Sequence, residues 1–200
     1  NNMTANTLRK KYPIFFYRGY TYKRFGRDLH ISFEFIVPAS TRTLAGRGGP
    51  PDISFHPKVV IKNVSQKLLN LVEQPELDNL VFHLGLVEMI SYWKVTASPK
   101  IVIEAGYLNK EQIAWFKDLI FQGMGEYFFE NKIIFTRKNF LTITSVDSKL
   151  SRAKFSNLAR LSLKEQTLVP VGGGKDAVVT LELLSKAKIP LCPFLLNPKK

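Results

Sequence analysis

Cysteine and long apolar runs are scarce in this 200-residue sequence. The one cysteine, Cys192, excludes an internal disulfide and a CxxC zinc site. Because Cys192 lies in the apolar run 189–196, we expect it to be a small buried residue, and free thiols fit a cytoplasmic location. No apolar run approaches the ~18 residues that a transmembrane helix needs, so we predict no membrane partner.

Acidic residues are also scarce, since 16 Asp and Glu stand against 29 Lys and Arg, which gives a net charge of +13. This balance favours anionic partners, such as nucleotides, phosphorylated metabolites or nucleic acid, although a basic surface also serves solubility alone. We identify no RNA-binding module, which would carry paired aromatic and basic residues on one strand, so nucleic acid is the less favoured partner. The basic run 149–164 is either a solvated face or a contact for phosphates.

Residue patterns over 12–146 predict an α+β domain. Aromatic and β-branched residues predict strands over 12–37 and 53–64, the second broken at Pro57, with a loop rich in Gly and Pro over 38–52. Two further short strands are predicted over 98–106 and 140–146.

Two helices are predicted between these strands. The first covers 77–95, and the second covers 109–132, where Asn109 and Gln112 form a capping box. The first helix has an apolar stripe of Leu77, Leu80, Val81, Leu84 and Val87. The second has a stripe of Ile113, Phe116, Ile120, Met124 and Tyr127, and we expect the aromatic residues Trp115, Phe116, Tyr127 and Phe128 to pack in the core.

The C-terminal stretch is the most informative part of the sequence. TLVPVGGGKDAVVTLELLSK (167–186) predicts a strand, a glycine turn and a helix, and PLCPFLL then predicts a second strand. Backbone N–H groups at a helix start bind anionic oxygens, and glycine lets a ligand approach the main chain. Three glycines exceed what a tight turn requires, so Gly172, Gly173 and Gly174 predict a phosphate site.

Three kinds of phosphate loop compete for this stretch. The Walker A loop is excluded, because Gly174-Lys175 is followed by Asp176 instead of Ser or Thr. The dinucleotide pattern matches formally, but no acidic residue follows about 20 residues on. The loop resembles the Ser-Gly-Gly-x-Asp-Ser signature of ATP pyrophosphatases in its glycines and Asp176, and departs from it at both serines; Ala177 replaces the second.

A resemblance over a longer stretch narrows the choice among these three kinds of phosphate loop. VPVGGGKDAVVTLELL resembles the glycine loop of the bacterial UDP-N-acetylmuramoyl-L-alanyl-L-glutamate epimerase family. FHLGLVEMISYWK (82–94) and QIAWFKDLIFQGMGEYFFEN (112–131) resemble the same family, in the same order. The three segments span about residues 80–185.

This resemblance implies an enzyme of peptidoglycan precursor synthesis that uses ATP and Mg²⁺. The family inverts the terminal L-glutamate of a UDP-linked muramoyl dipeptide to D-glutamate and releases AMP and pyrophosphate. Gly172, Gly173, Gly174, Lys175 and Asp176 are then expected to bind ATP, and Asp176 is expected to meet the magnesium ion.

Inversion at a carbon atom requires acid/base groups near that atom. The segment 82–94 offers Glu88, His83 and Tyr92, which we predict as catalytic residues. At 100° per residue, Glu88 and Tyr92 share a helix face, and His83 lies well away from Glu88. A surface salt bridge for Glu88 and a structural role for His83 are the alternatives.

We therefore expect an α+β domain over 1–146, a linker over 147–166, and over 167–200 the first β-α-β unit of an incomplete α/β domain of the ATP pyrophosphatase type. A doubly wound nucleotide domain needs more strands than 167–200 supplies, so the sequence resembles the N-terminal part of a longer chain. Two other functions stay open. One is a different pyrophosphatase-loop enzyme, for tRNA thiolation or amide formation, and the other is an inactive relative that binds a nucleotide or RNA.

Overall fold

The structure, a computed structural model, describes residues 4–39, 51–134, 136–146 and 165–195. The chain divides into two compact units, 1–159 and 160–200. The predicted linker 147–166 lies almost wholly outside the described residues, so the predicted domain boundaries and the role of the basic run stay predictions.

The first unit is a mixed sheet with helices packed against it. A long hairpin forms its centre, with strands β1 (Ile14–Phe25) and β2 (Asp28–Val37) joined through Gly26, whose φ is +60°. Short strands β3 (Ile53–Phe55) and β4 (Lys58–Ile61) pair antiparallel with β2. On the other side, β5 (Lys100–Ile103) runs parallel to β1, and β6 (Thr142–Ser145) runs parallel to β5.

The described residues of this unit form five helices. They are α1 (Ala5–Lys11), α2 (Gln66–Leu69), α3 (Gln74–Trp93), α4 (Lys110–Gly123) and α5 (Gly125–Glu130). Pro75 lies at the start of α3, where its missing N–H costs nothing, and Asn109 and Gln112 form the predicted capping box of α4. In the ranges given above, no helix has both the length and the apolar character required to cross a bilayer.

Aromatic residues dominate the core between α3 and the sheet. Phe82, Leu86, Met89 and Trp93 of α3 are fully buried, as are several strand residues opposite them. Those strand residues are Phe15, Tyr17, Ile31, Phe33, Phe35, Ile101 and Ile103. Gly85 allows this close contact, because a Cβ atom there would lie 2.1 Å from the Tyr17 hydroxyl oxygen.

The predicted strands and helices are present, but three details of the prediction were wrong. Two concern which side chains are buried, and one concerns the continuity of a helix. Leu80 and Val87 of the predicted stripe are exposed, since α3 is apolar around most of its circumference and several spacings fit it equally well. The predicted helix 109–132 is interrupted at Met124, which lies between two glycines and has φ −113° and ψ 18°. Trp115 is exposed and not in the core, because α4 turns Phe116 and Ile120 toward the sheet.

The second unit contains β7 (Thr167–Pro170), α6 (Lys175–Lys186) and β8 (Leu191–Phe194). The two strands are parallel, as a β-α-β connection requires. The predicted strand, glycine turn, helix and strand are therefore all present. The expectation for Cys192 was wrong, because its side chain is exposed on β8.

Candidate functional site

The glycine turn lies at the carboxyl end of β7 and leads directly into α6. Val171 N–H donates to the Phe194 carbonyl oxygen at 2.9 Å, which closes the strand pair just before the turn. Gly173 has φ +83°, a conformation that favours glycine. Gly174 is the N-cap residue of α6.

The start of α6 differs from the starts of α1 and α4. The Thr4 hydroxyl and the Asn109 side-chain oxygen Oδ1 each accept a hydrogen bond from a backbone N–H in the first turn of those two helices. Gly174 has no side chain that can do this, so no N-cap side chain occupies the first N–H groups of α6. Together with the helix dipole, these groups favour an anionic ligand.

Close packing against the described residues does not explain why glycine occupies positions 172 and 174. A Cβ atom at either position would meet nothing within 4 Å among the described residues, and neither has a positive φ. Only Gly173 is explained by its backbone conformation. A ligand that contacts the main chain gives a physical reason for the other two glycines.

Lys175 and Asp176 follow the turn and are both exposed. Asp176 is in the first turn of α6, and its carbonyl oxygen accepts a hydrogen bond from the Thr180 hydroxyl at 2.7 Å. Within the described ranges, no three His, Cys, Asp or Glu residues form a preassembled metal cage. A single carboxylate still fits Mg²⁺, because this ion is commonly held by one or two carboxylates together with nucleotide phosphates.

Glu88 and Tyr92, two of the predicted catalytic residues, lie together on α3. Burial raises the pKa of Tyr92, and the charge of Glu88 and a hydrogen bond to it raise that pKa further. The Tyr92 ring packs against Phe35 and Phe55, with ring centroids 5.5 Å and 5.1 Å apart. Tyr92 is thus a protonated hydroxyl at neutral pH whose ring also contributes to packing.

His83 has different surroundings. Its Nδ1 atom lies 2.9 Å from the Asn79 carbonyl oxygen, which can only accept, so Nδ1 carries the proton. The His83 side chain lines a cavity toward α4, with Val87 and Trp115 among its neighbours. The structure brings Glu88 and Tyr92 together and places His83 on another side of α3.

Sequence reasoning missed a polar cluster in the first unit. Tyr22 donates a hydrogen bond of 2.7 Å to Asp78, and the Tyr20 and Tyr22 rings stack with centroids 6.4 Å apart. Arg18 forms an ion pair with Glu104 nearby, and all five residues line a cavity of about 640 Å³. The YTY run in β1 was the available signal, but its partner Asp78 is 56 residues away in the sequence.

Topology explains why this cluster forms. β1 pairs with β5 only as far as Tyr17 opposite Ile103, so the later residues of β1 extend beyond the carboxyl end of β5. A β-bulge between Tyr17 and Gly19 redirects the strand at this point. Ligands of sheets with parallel strands commonly bind at such carboxyl ends.

The two tyrosines of the cluster are hydrogen-bond donors at neutral pH. Burial raises the pKa of both hydroxyls, and the Asp78 carboxylate raises each further. Both therefore stay protonated and suit the binding of a polar ligand better than proton abstraction.

Comparison with known proteins identifies the family. Residues 39–200 match the family described as the MurL N-terminal domain, which is most of the chain. The chain belongs to the MurL family. The match confirms the resemblance seen in the three sequence segments, and it includes the glycine turn, α3 and α4.

A curated relative supports the same assignment. Over 106 residues the chain is 27% identical to the UDP-N-acetyl-alpha-D-muramoyl-L-alanyl-L-glutamate epimerase of Xanthomonas oryzae pv. oryzae (strain MAFF 311018). This alignment covers 53% of the chain and 22% of the epimerase, so the aligned part of the chain spans about a fifth of its relative's length. No solved structure matches the chain.

Proposed function

We propose that this chain is part of a cytoplasmic enzyme that inverts the terminal L-glutamate of UDP-N-acetylmuramoyl-L-alanyl-L-glutamate during peptidoglycan synthesis. The observation that carries the proposal is the uncapped start of α6 in a MurL-family chain, after glycines that packing does not require. The name of the Xanthomonas relative supports the choice of substrate.

The chemistry needs ATP because the α-proton of a glutamate carboxylate is barely acidic. A carboxylate oxygen attacks the α-phosphorus of ATP, and pyrophosphate leaves. The acyl-adenylate formed has lost the carboxylate charge, so a base can remove the α-proton and an acid can return a proton to the other face. Water then hydrolyses the acyl-adenylate to AMP and the D-glutamyl product.

In this proposal the glycine turn binds the phosphates of ATP. Backbone N–H groups of Gly174, Lys175 and Asp176 donate to phosphate oxygens, and the Lys175 ammonium adds a positive charge. Stabilising the charge on departing pyrophosphate lowers the barrier of the first step. Asp176 would hold Mg²⁺, which neutralises phosphate charge when it is bound.

The acid and base for inversion remain predictions. Glu88 is the candidate base and Tyr92 the candidate donor beside it, since the two lie one helical turn apart on α3 and Glu88 raises the pKa of Tyr92. His83 is an alternative donor or acceptor. It lines a cavity together with Val87 on another side of α3.

The test uses the full-length gene product with Mg²⁺, ATP and the UDP-linked L-alanyl-L-glutamate substrate. We expect AMP release together with D-glutamate after acid hydrolysis of the product. If AMP is released but the glutamate remains in the L form, the chain belongs to a different pyrophosphatase-loop enzyme, and the epimerase proposal is rejected. An absence of AMP would indicate an inactive relative, and restoration by Ala177→Ser would assign the defect to the missing hydroxyl.

Substitution of the turn gives a matched control for this assay. Gly172→Val places a branched side chain where the phosphates are proposed to lie, and we expect at least a 100-fold loss of AMP release with an unchanged fold. Gly123→Ala changes a glycine with equal free space at the end of α4, and we expect it to leave AMP release unchanged. Equal effects of the two substitutions would reject the assignment of the turn.

A further inference from the structure

A cavity between α3 and α4 is lined by His83 but by neither Glu88 nor Tyr92. Its volume is about 510 Å³, which is within the ~300–1,000 Å³ common for small-molecule sites. The lining residues are His83, Val87, Glu111, Gln112, Trp115 and Phe116. Such a mixture of apolar surface with a few polar groups is typical of ligand pockets.

Trp115 is the largest side chain of this cavity, and it is 59% exposed. The other tryptophan, Trp93, is fully buried in the core. The Phe116 ring contacts the Trp115 indole edge to face, with centroids 4.9 Å apart and planes at 89°. Phe116 therefore holds the indole in place while most of it remains accessible to a ligand.

Hydrogen-bonding groups stand beside this aromatic surface. Because His83 Nδ1 donates to Asn79, the Nε2 atom of the neutral imidazole is an acceptor. Glu111 supplies a carboxylate acceptor, and the Gln112 amide supplies N–H donors while its oxygen accepts from the Asn109 backbone. A ligand that fits this cavity is flat and aromatic, and has donors and acceptors on its edge.

We propose that this cavity binds a nucleobase, with its ring stacked on Trp115 and its edge hydrogen-bonded by His83, Glu111 or Gln112. Bases stack on aromatic side chains irrespective of their identity, and the net charge of +13 attracts the attached phosphates. The choice between uracil and adenine rests on the proposed function, which involves both UDP and ATP. A buried peptide segment would not need the three polar side chains.

The two tryptophans allow a direct test in the 200-residue chain. UDP, ATP and inorganic pyrophosphate are each titrated while tryptophan fluorescence is recorded. We expect a nucleotide to quench the exposed Trp115 and pyrophosphate to have no effect. Trp115→Phe should abolish the quenching while it keeps binding, measured by calorimetry, and Trp115→Ala should weaken binding about 10- to 100-fold.

A matched control uses the next turn of the same helix. Leu119 is exposed on α4 and does not line the cavity, so Leu119→Ala should leave the quenching and the affinity unchanged. Far-UV circular dichroism shows whether each variant is folded. Quenching by UDP alone assigns uracil, quenching by ATP alone assigns adenine, and quenching by both assigns a site for either base.

Two results would overturn the proposal. One is the absence of quenching by either nucleotide. The other is binding that Trp115→Ala leaves intact and Gly172→Val removes, which would place the nucleotide at the glycine turn alone. The epimerase assay separates this inference from the proposed function. Full activity in Trp115→Ala at low substrate concentration would reject the base site and retain the epimerase.

Discussion

The first unit has an extensive buried core, whereas Val169 is the only buried apolar residue among the described residues of the second unit. On α3, eight residues are buried, including Phe82, Leu86 and Trp93. On α6 none is buried, and Val178, Val179 and Leu183 are each more than half exposed. The stability of the described structure therefore comes mainly from the first unit, since burial of apolar surface is the main stabilising contribution.

The glycines show the same difference in another form. Gly85 and Gly106 of the first unit have neighbours that leave no room for a side chain. A Cβ atom at Gly172 or Gly174 of the second unit would meet none of the described residues within 4 Å. Glycine serves close packing at Gly85 and Gly106, and at Gly172 and Gly174 it leaves the main chain accessible, as a phosphate site requires.

The largest expected effect is the difference in stability lost when a leucine is truncated in each of the two units. Leu86→Ala removes a fully buried side chain, so we expect a loss of about 2–5 kcal/mol in the free energy of unfolding. Leu183→Ala, at a residue 63% exposed, should stay within about 0.5 kcal/mol. Urea unfolding followed by far-UV circular dichroism measures both. A comparable loss in the two variants would mean that α6 is covered in solution.

The next effect tests the two kinds of glycine. Gly85→Ala forces a methyl group against Tyr17 and Phe33, and we expect a loss of about 1–3 kcal/mol from overpacking. Gly172→Ala should leave the unfolding midpoint unchanged, because its Cβ atom has room. Gly123→Ala is the helical control for Gly85 and should be neutral or slightly stabilising. An unchanged midpoint in Gly85→Ala would contradict the packing described here.

Alkaline pH should affect the first unit selectively, because all seven tyrosines are within its sequence. Burial raises the pKa of Tyr17 far above the usual 10.0, so its stabilising effect is complete below pH 10 and is lost as the pH rises above 10. By pH 11 we expect a loss of about 1.4 kcal/mol from this residue. Urea midpoints at pH 8, 10 and 11 measure the loss.

A matched pair of variants assigns this pH dependence. Tyr17→Phe removes one ionisable hydroxyl and should make the decline above pH 10 smaller by about 1.4 kcal/mol at pH 11, while the contributions of Tyr20, Tyr22 and Tyr92 remain. Tyr107→Phe, at a partly exposed position, should retain it. The same decline in Tyr17→Phe as in the unmodified chain would show that other groups cause it.

The smallest effects concern the helix starts. Asn109→Ala removes the cap of α4 and should cost about 1 kcal/mol. Gly174→Ser adds a cap to α6 and should raise the stability of this helix by only about a few tenths of a kcal/mol. Because the serine oxygen then occupies an N–H group proposed for phosphate, ATP affinity measured by calorimetry should fall. Unchanged affinity would argue against these N–H groups as the phosphate ligands.

The secondary structure was mostly predicted correctly from local sequence patterns, whereas the burial of individual side chains often was not. The order of β7, the glycine turn, α6 and β8 follows from short-range signals, as does the capping box at Asn109. The exposure of Trp115 and Cys192 was missed, because apolar character predicts burial only when another element covers the residue. The interruption at Met124 was missed because the apolar spacing continues through it.

The candidate sites also differ in how far they could be predicted from local sequence. The glycine turn is contiguous in the sequence, so its residues were found from the sequence alone. The cluster of Tyr20, Tyr22 and Asp78 depends on the pairing of β1 with β5 and on the position of α3, which no local pattern specifies. The separation of His83 from Glu88 followed from helical periodicity, since five residues turn a helix by 500°, a net offset of about 140°.

The sequence alone determined the strands, the main helices, the glycine turn and the family of this protein. These features depend on residues close together in the chain, where backbone preference and hydrophobic periodicity act directly. Only the tertiary structure decided which face of α3 is buried, why Gly85 is required, and that Trp115 and His83 line one cavity. Those outcomes depend on contacts between distant segments, whose geometry is set by the packing of the whole first unit.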